Sequence, residues 1–167
     1  MAETKKTGNL AEMGENLQKI FKRLQKNQRL LKLLYYTDKD PFSQPDLTEE
    51  QIKKEVFEKL IKIVPRVGPK ETAQSIISLR AVRGRPVISN DEFENTALSV
   101  EIFTPLTQWI IKDENLRPFL IMGEIKDSLK NKTINGLGKM KYTGYDLNFL
   151  TDEVSAYEMT FNIQVDD

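Results

Sequence analysis

The sequence predicts an α+β fold: a mainly antiparallel sheet of about four strands flanked by helices, with a helical N-terminal region. Three observations predict it. Apolar residues recur at three- and four-residue spacing over the first sixty residues, which lines one face of a helix. From about Thr72 the period falls to two, the mark of a half-buried strand. The elements then run α, α, α, β, β, α, β, β without a strand–helix–strand repeat, which favours antiparallel pairing. The 167 residues read as one domain, helical over 1–64 and sheet-plus-helix over 72–167. That length buries roughly two thirds of the surface an unfolded chain exposes.

Residues 1–8 are polar and are expected to fray. Leu10, Met13, Leu17, Ile20, Phe21 and Leu24 then form one apolar helical stripe, with Lys19, Lys22, Arg23 and Lys26 largely off it. A break near Asn27 precedes a second helix, whose Leu30, Leu31, Leu33 and Leu34 are too crowded for one stripe and call for two neighbours. Pro41 and Pro45 forbid continuation. Thr48 stands three residues before Gln51 as a capping box, and the third helix is expected to reach about Ile61, burying Ile52, Val56, Leu60 and Ile61. "IVPRVGPK" ends it with two prolines and a glycine.

"SIISLRAVR" and "TALSVEIFTP" read as two strands. Ile77, Leu79 and Ala81 oppose Arg80 in the first, and Leu98, Val100 and Ile102 alternate with Ser99 and Glu101 in the second. The connection from Arg83 to Asn95, basic at its start and acidic at its end, reads as a projecting loop. Trp109, the only Trp, lies in an unassigned segment and is expected to pack. Pro118 suits the first turn of a helix capped by Asn115, with Met122, Ile125 and Leu129 inward and Gly123 permitting a close neighbour. Two antiparallel strands follow. In the last, Tyr157, Met159, Phe161, Ile163 and Val165 face one way, and Ala156, Glu158, Thr160, Asn162 and Gln164 face the wetter side.

Composition narrows the chemistry. There is no Cys and no His, which removes disulfides, thiolate nucleophiles and imidazole bases or ligands. No apolar run is long enough to cross a bilayer, and the N-terminus lacks the apolar core of a secretory signal, so a cytoplasmic setting is expected. Net charge is zero, yet residues 1–34 hold eight Lys/Arg against three Glu, and residues 146–167 hold six Asp/Glu and no base. Such polarity suits head-to-tail contact between copies, and two ordinary solvated faces fit it as well.

Gly136-Leu137-Gly138-Lys139 resembles a phosphate loop but follows a helix and leads into a strand, the reverse of the order a phosphate loop needs. Asp38, Asp40 and Asp46 lack the alternation and closing Glu of a calcium loop. Asp91, Glu92 and Glu94 cluster without an apolar pocket. No catalytic, cofactor or metal residue is nominated, and no enzyme activity is expected. The basic face of Lys19, Lys22, Arg23, Lys26, Arg29 and Lys32 could follow a nucleic-acid backbone, though a solvated face or an acidic partner fits a neutral chain better. Tyr35 and Tyr36, with Pro41 and Phe42, make an interface patch or part of the core.

"LQKNQRLLKLLYYTDKDPFSQPDLT", two strands, "LRPFLIMGEIKDSLKNKTINGLGKMKY" and an alternating last strand together resemble the neck and tail-completion proteins of tailed bacteriophages, the tail terminators and head-to-tail joining proteins. The resemblance spans nearly the whole chain and carries no catalytic signature. The matching positions are the Asn27 to Tyr36 segment, the Arg117-Pro118 helix start, Gly136, Gly138 and the closing strand. The helical first sixty residues exceed what a minimal terminator needs. The resemblance implies a structural, cofactor-free virion protein assembled in the host cytoplasm. It would form a ring, often hexameric, that stops the tail tube and docks the head connector or other neck proteins. It implies no membrane and no specific nucleic acid. The alternative is a small nucleic-acid-binding or regulatory module using the basic N-terminal helices. Candidate interface residues are Lys22, Arg23 and Lys26; Tyr35 and Tyr36; Arg83, Arg85, Glu92 and Phe93 of the projecting connection; and Asp166 and Asp167, the acidic end that would meet a neighbour's basic region.

Overall fold

A computed structural model of the chain describes residues 9–63, 73–87, 90–134 and 138–164. Helix α1, Asn9–Leu24, buries Ile20, Phe21 and Leu24 and leaves Lys19 and Lys22 exposed. The break falls at Asn27. Its side-chain oxygen accepts from the Leu30 N–H at 3.1 Å, which caps α2, Gln28–Tyr35. Its amide donates to Glu124 Oε2 at 3.1 Å and Ser128 Oγ at 3.0 Å on a later helix. Leu30, Leu31, Leu33 and Leu34 are all fully buried.

The Thr48–Gln51 capping box is present, but the helix it opens is short. Helix α3, Glu49–Gln51, passes into a π-turn over Ile52–Val56, closed by the Phe57 N–H on the Ile52 carbonyl. Glu58 takes a left-handed φ of 59°, and the expected continuation to Ile61 is replaced by strand β1, Ile61–Lys62. The cause is a distant partner: Ile61 pairs in parallel with Ile77, and the Ile77 N–H donates to the Leu60 carbonyl at 2.8 Å.

The sheet has six strands rather than about four. After β1 come β2, Ile76–Val87; β3, Asn90–Pro105; helix α4, Arg117–Leu129; β4, Thr133–Ile134; β5, Gly138–Leu150; and β6, Val154–Gln164. The spatial order is β1-β2-β3-β6-β5-β4, antiparallel except for the β1–β2 pair. The two added strands, β1 and β4, are two-residue edges, which present little open backbone to other chains. Register shifts at Ala81/Arg83, Tyr142/Gly144 and Leu147/Phe149 bend the strands, and the sheet is curled. Gly144 takes φ 149° at one of these bulges.

The expected loop from Arg83 to Asn95 is instead the far half of a long hairpin. Arg83 pairs with Ala97, Arg85 with Asn95 and Pro86 with Glu94, whereas β6 pairs with β3 only from Thr96 to Pro105. Among the described residues the end of this hairpin is a two-stranded arm. Pro86 is tolerated there because an arm edge does not need its missing N–H.

The helices pack on the sheet face carrying Ile77, Leu79, Leu98, Val100, Ile102, Met140, Met159, Phe161 and Ile163, all buried. Ala81 is exposed, displaced by the bulge beside it. Ala156, expected on the wetter side, is buried, and so on that face are Ser99 and Glu101. They are held in a polar cluster in which Arg80 bonds Glu101 at 3.1 Å and Glu158 at 3.5 Å, the Ser99 hydroxyl donates to Glu158, and Asn148 donates to Glu101. Glu101 and Glu158 are direct cross-strand partners. Arg80 offsets a like-charge repulsion that would otherwise destabilise the pair.

Helix α4 begins with Pro118 in its first turn, but Leu116 is its cap and makes no side-chain cap bond; Asn115 donates to the Lys112 carbonyl instead. Met122, Ile125 and Leu129 face the core. Gly123 has no atom within 4 Å of where a Cβ would lie, so it does not serve a close approach. The helix ends at Asn131, left-handed at φ 58°, whose N–H donates to Met140. Gly138, φ 91°, opens β5, and Lys139 continues the strand, so no helix follows the glycine. Gly136 lies outside the described residues.

Arg117 is fully buried. Its guanidinium donates to the carbonyls of Gln108 (3.0 Å), Leu33 (2.7 Å), Tyr36 (2.7 Å) and Asp38 (2.6 Å). Burial pushes the group below its ordinary value, and the Asp38 charge opposes that shift. Two of the carbonyls close the C-terminal end of α2, where a cation is favoured by the helix dipole. Arg117→Met leaves these acceptors without donors and is expected to cost about 3–5 kcal/mol in urea unfolding, with Arg117→Lys intermediate. A cost under about 1 kcal/mol would mean the clamp is dispensable.

Asp40 and Lys112 pair at 2.8 Å. The Lys112 ammonium holds Asp40 below the usual carboxylate value, and Asp40 raises Lys112. Any stability this gives is complete between about pH 4 and pH 10. It is lost as pH falls through the Asp40 value or rises through that of Lys112. Wild type should therefore exceed Asp40→Asn slightly at pH 7 and converge with it in acid; a constant gap down to pH ~2 contradicts the pairing.

Candidate functional site

Three surfaces carry unusual chemistry. The first is an apolar apron. The core face of the sheet extends beyond α4, and there Phe119, Tyr145 and Leu147 stand 39%, 49% and 53% exposed. Phe119 lies 5.3 Å from Tyr157 and 6.1 Å from Tyr145 between ring centres, and Trp109 lies 6.1 Å from Tyr157. Leu147 is the cross-strand partner of Tyr157. Ile110 and Leu116 bridge each other at the margin and are also exposed. Clustered exposed aromatics of this kind mark a binding surface, since scattered single residues are what an ordinary surface shows.

The apron is positioned by the Arg117 clamp. The Arg117 N–H donates to the Trp109 carbonyl at 2.8 Å, while its side chain takes the Gln108 carbonyl. One residue thus sets the Trp109 loop and the start of α4, which carries Phe119. Trp109 packs, half-buried, as the sequence led one to expect.

The second surface is a basic groove of about 680 Å³ lined by Lys19, Lys22, Arg23, Lys26, Asn27, Ser128, Thr133 and Ile134. No carboxylate is among these lining residues. The Arg23 Nε donates to the Ser128 carbonyl at 2.7 Å, near the C-terminal end of α4, and Lys19 donates to Asn16. Lys22 and Lys26 are exposed and make no ion pair among the described residues. The rest of the basic face is neutralised: Arg29 pairs with Glu124 at 2.7 Å and Lys32 with Asp46 at 2.8 Å.

The third is the tip between β5 and β6. Thr151 closes the turn, its N–H donating to the Val154 carbonyl and its hydroxyl accepting from Val154 and Glu153. Asp152 and Glu153 are exposed there beside Leu150, itself 60% exposed.

The structure brings Lys22, Arg23 and Lys26 together in the groove. It separates them from Tyr35 and Tyr36, which meet edge to face with ring centres 5.0 Å apart, half-buried against the core, with Pro41 buried nearby. Arg83, Arg85, Glu92 and Phe93 lie on the hairpin arm, and their side chains are outside the described residues, as are Asp91 and Glu94. Asp166 and Asp167 also lie outside them. Asp40 and Asp46 each have a lysine partner, Asp38 gives a carbonyl to Arg117, and no group of acidic residues suited to a metal occurs among the described residues. Among the same residues no helix is long and apolar enough to cross a membrane. Sequence reading missed the apron; the crowding of aromatics in 142–161 was its one signal.

Residues 27–163 match the family model YomW. The chain belongs to the YomW family. The family takes its name from a gene product of Bacillus phage or prophage type, which points to a phage origin. No curated protein matches the chain. The apron and the acidic tip of this YomW-family chain fall within the matched span, and the groove's lysines fall just before it.

Arg23 does structural work that Lys22 and Lys26 do not. Arg23→Ala should cost about 1–2 kcal/mol in thermal or urea unfolding, through loss of a charged hydrogen bond to a helix end. Lys22→Ala/Lys26→Ala should stay within about 0.5 kcal/mol of wild type. Equal losses would mean the two lysines are structural too.

Proposed function

We propose that this chain is a phage structural protein that binds copies of itself in a ring at the neck or the head-proximal end of the tail. There it would stop growth of the tail tube and join it to the head connector or another neck protein. The mechanism is geometric: one surface covers the tube end and another meets the connector. The ring, hexameric by resemblance, would be assembled in the host cytoplasm and carried in the virion, with no cofactor, no catalytic step, no membrane and no specific nucleic acid.

The observation that carries the reading is the aromatic apron: an exposed apolar surface, positioned by the Arg117 hydrogen bonds to the Gln108 and Trp109 carbonyls, suits a protein that works by contact. The family's phage-type name supports the setting. The hairpin arm, where β2 and β3 continue to pair beyond the last β3–β6 pair at Thr96, gives a second element for contact. The basic groove favours a second reading, a nucleic-acid-binding or regulatory module, which salt-dependent binding of duplex DNA by the isolated protein would reveal.

Tyr145→Ser/Leu147→Ser tests the first reading. Both positions are exposed, so folding stability should change by about 0.5 kcal/mol each or less. Rings seen by negative-stain microscopy of concentrated wild type, and capping of purified tail tubes, should be lost. Unchanged rings and tube capping in the double variant would sink the role given to the apron.

A further inference from the structure

The bipolar charge of the sequence becomes specific in the fold. The basic groove lies at one end of the β5–β6 hairpin, because Thr133 and Ile134, which line it, pair with Lys139 and Gly138 at the start of β5. The acidic turn lies at the other end, after Leu150. Thirteen strand residues separate the two, a span of up to about 40 Å at 3.3 Å per residue. Asp152 and Glu153 cannot reach the groove of their own chain, and neither they nor Lys22 and Lys26 have a charge partner among the described residues.

We infer that the acidic β5–β6 tip of one copy seats in the basic groove of the next. The occupant is a second copy because the complementarity is complete within one chain. The groove offers Lys22 and Lys26 with no carboxylate among its described lining residues, and the tip offers two exposed carboxylates on a turn already fixed by Thr151. The other two late acids among the described residues are placed differently. Glu158 is engaged by Arg80 and Ser99 inside the sheet, and Asp146 lies on strand β5 rather than on the turn. A contact joining two different surfaces is heterologous, and repetition closes it into a ring or extends it into a filament. The inference rests on the self-assembly reading above and names its interface: the tip and groove link neighbours, and the apron, on the same β5–β6 hairpin as the tip, flanks that contact. A phosphate backbone could also fill a basic groove, but no lining residue is aromatic, so base stacking has no platform.

Charge reversal with mixing tests this. One variant carries Lys22→Glu/Lys26→Glu and a second carries Asp152→Lys/Glu153→Lys, each checked for wild-type circular dichroism and thermal midpoint. In sedimentation velocity, wild type should self-associate as concentration rises, and each reversed variant should self-associate at least about tenfold more weakly. An equal mixture should regain assembly, because each reversed groove then meets a reversed tip and each native groove a native tip. If both variants assemble like wild type, or if both fold and the mixture stays dissociated, the interface is wrong while the self-assembly reading stands. If wild type remains a monomer at every concentration, both fail. If the groove instead binds a short DNA duplex in a salt-sensitive manner lost in the Lys22→Glu/Lys26→Glu variant, and wild type does not self-associate, a phosphate backbone is the occupant.

Discussion

Four backbone carbonyls converge on the guanidinium of Arg117, and they come from the end of α2, the strand-like segment after it and the turn before Trp109. A planar group with five donors can satisfy such a set where an ammonium cannot. The clamp is costly to build, since a cation is taken out of water without a carboxylate touching it, and it holds because each donor meets a carbonyl. Its consequence is positional. The start of α4, the Trp109 loop and the end of α2 share one anchor, and the aromatic apron is what that anchor presents to solvent. Asn27 repeats the logic at the other end of α4, capping α2 while binding Glu124 and Ser128.

The rest of the molecule follows from where charge is spent and where it is left over. Arg29, Lys32, Arg80 and Lys112 are engaged by carboxylates of the same chain. Lys22 and Lys26 at one end, and Asp152 and Glu153 at the other, are not paired among the described residues. A neutral chain that carries exposed lysines at one end of the β5–β6 hairpin and exposed carboxylates at the other has charge placed for head-to-tail encounter. Surface ion pairs are individually weak, so affinity in such a contact would come from apolar burial, with charge setting direction and register. Leu150 beside the acidic tip supplies apolar surface at that end.

Much of the helical layer was legible because it is local. The stripe of α1, the crowded leucines of α2 and the alternation of β6 from Met159 to Ile163 are periodic patterns whose burial follows from spacing. What was not legible is non-local. Ile61 continues the helical period of α3, and only its pairing with Ile77 makes it a strand. The segment 83–95 is rich in charge, carries one Gly and one Pro, and reads as a loop, yet its two halves pair with each other. Arg117 precedes a proline at a helix start, where a charged residue is ordinarily solvated; its partners lie 79 and 84 residues away in sequence at Asp38 and Leu33. Tyr145 and Leu147 reach the core face because the bulge at Tyr142/Gly144 shifts the alternation that Met140 and Tyr142 set, and their exposure depends on where α4 lies, which no spacing in the sequence encodes.

The absence of cysteine from the chain makes covalent trapping the most direct test of copies joined tip to groove. A variant with Lys26→Cys and Asp152→Cys has its thiols at opposite ends of β5–β6, too far apart for an intramolecular bridge. Mild oxidation followed by non-reducing electrophoresis should yield a ladder of multimers ending in one closed species, and reduction should collapse it. A product that stays monomeric under oxidation, while single-cysteine controls show both thiols accessible to alkylation, would contradict the account.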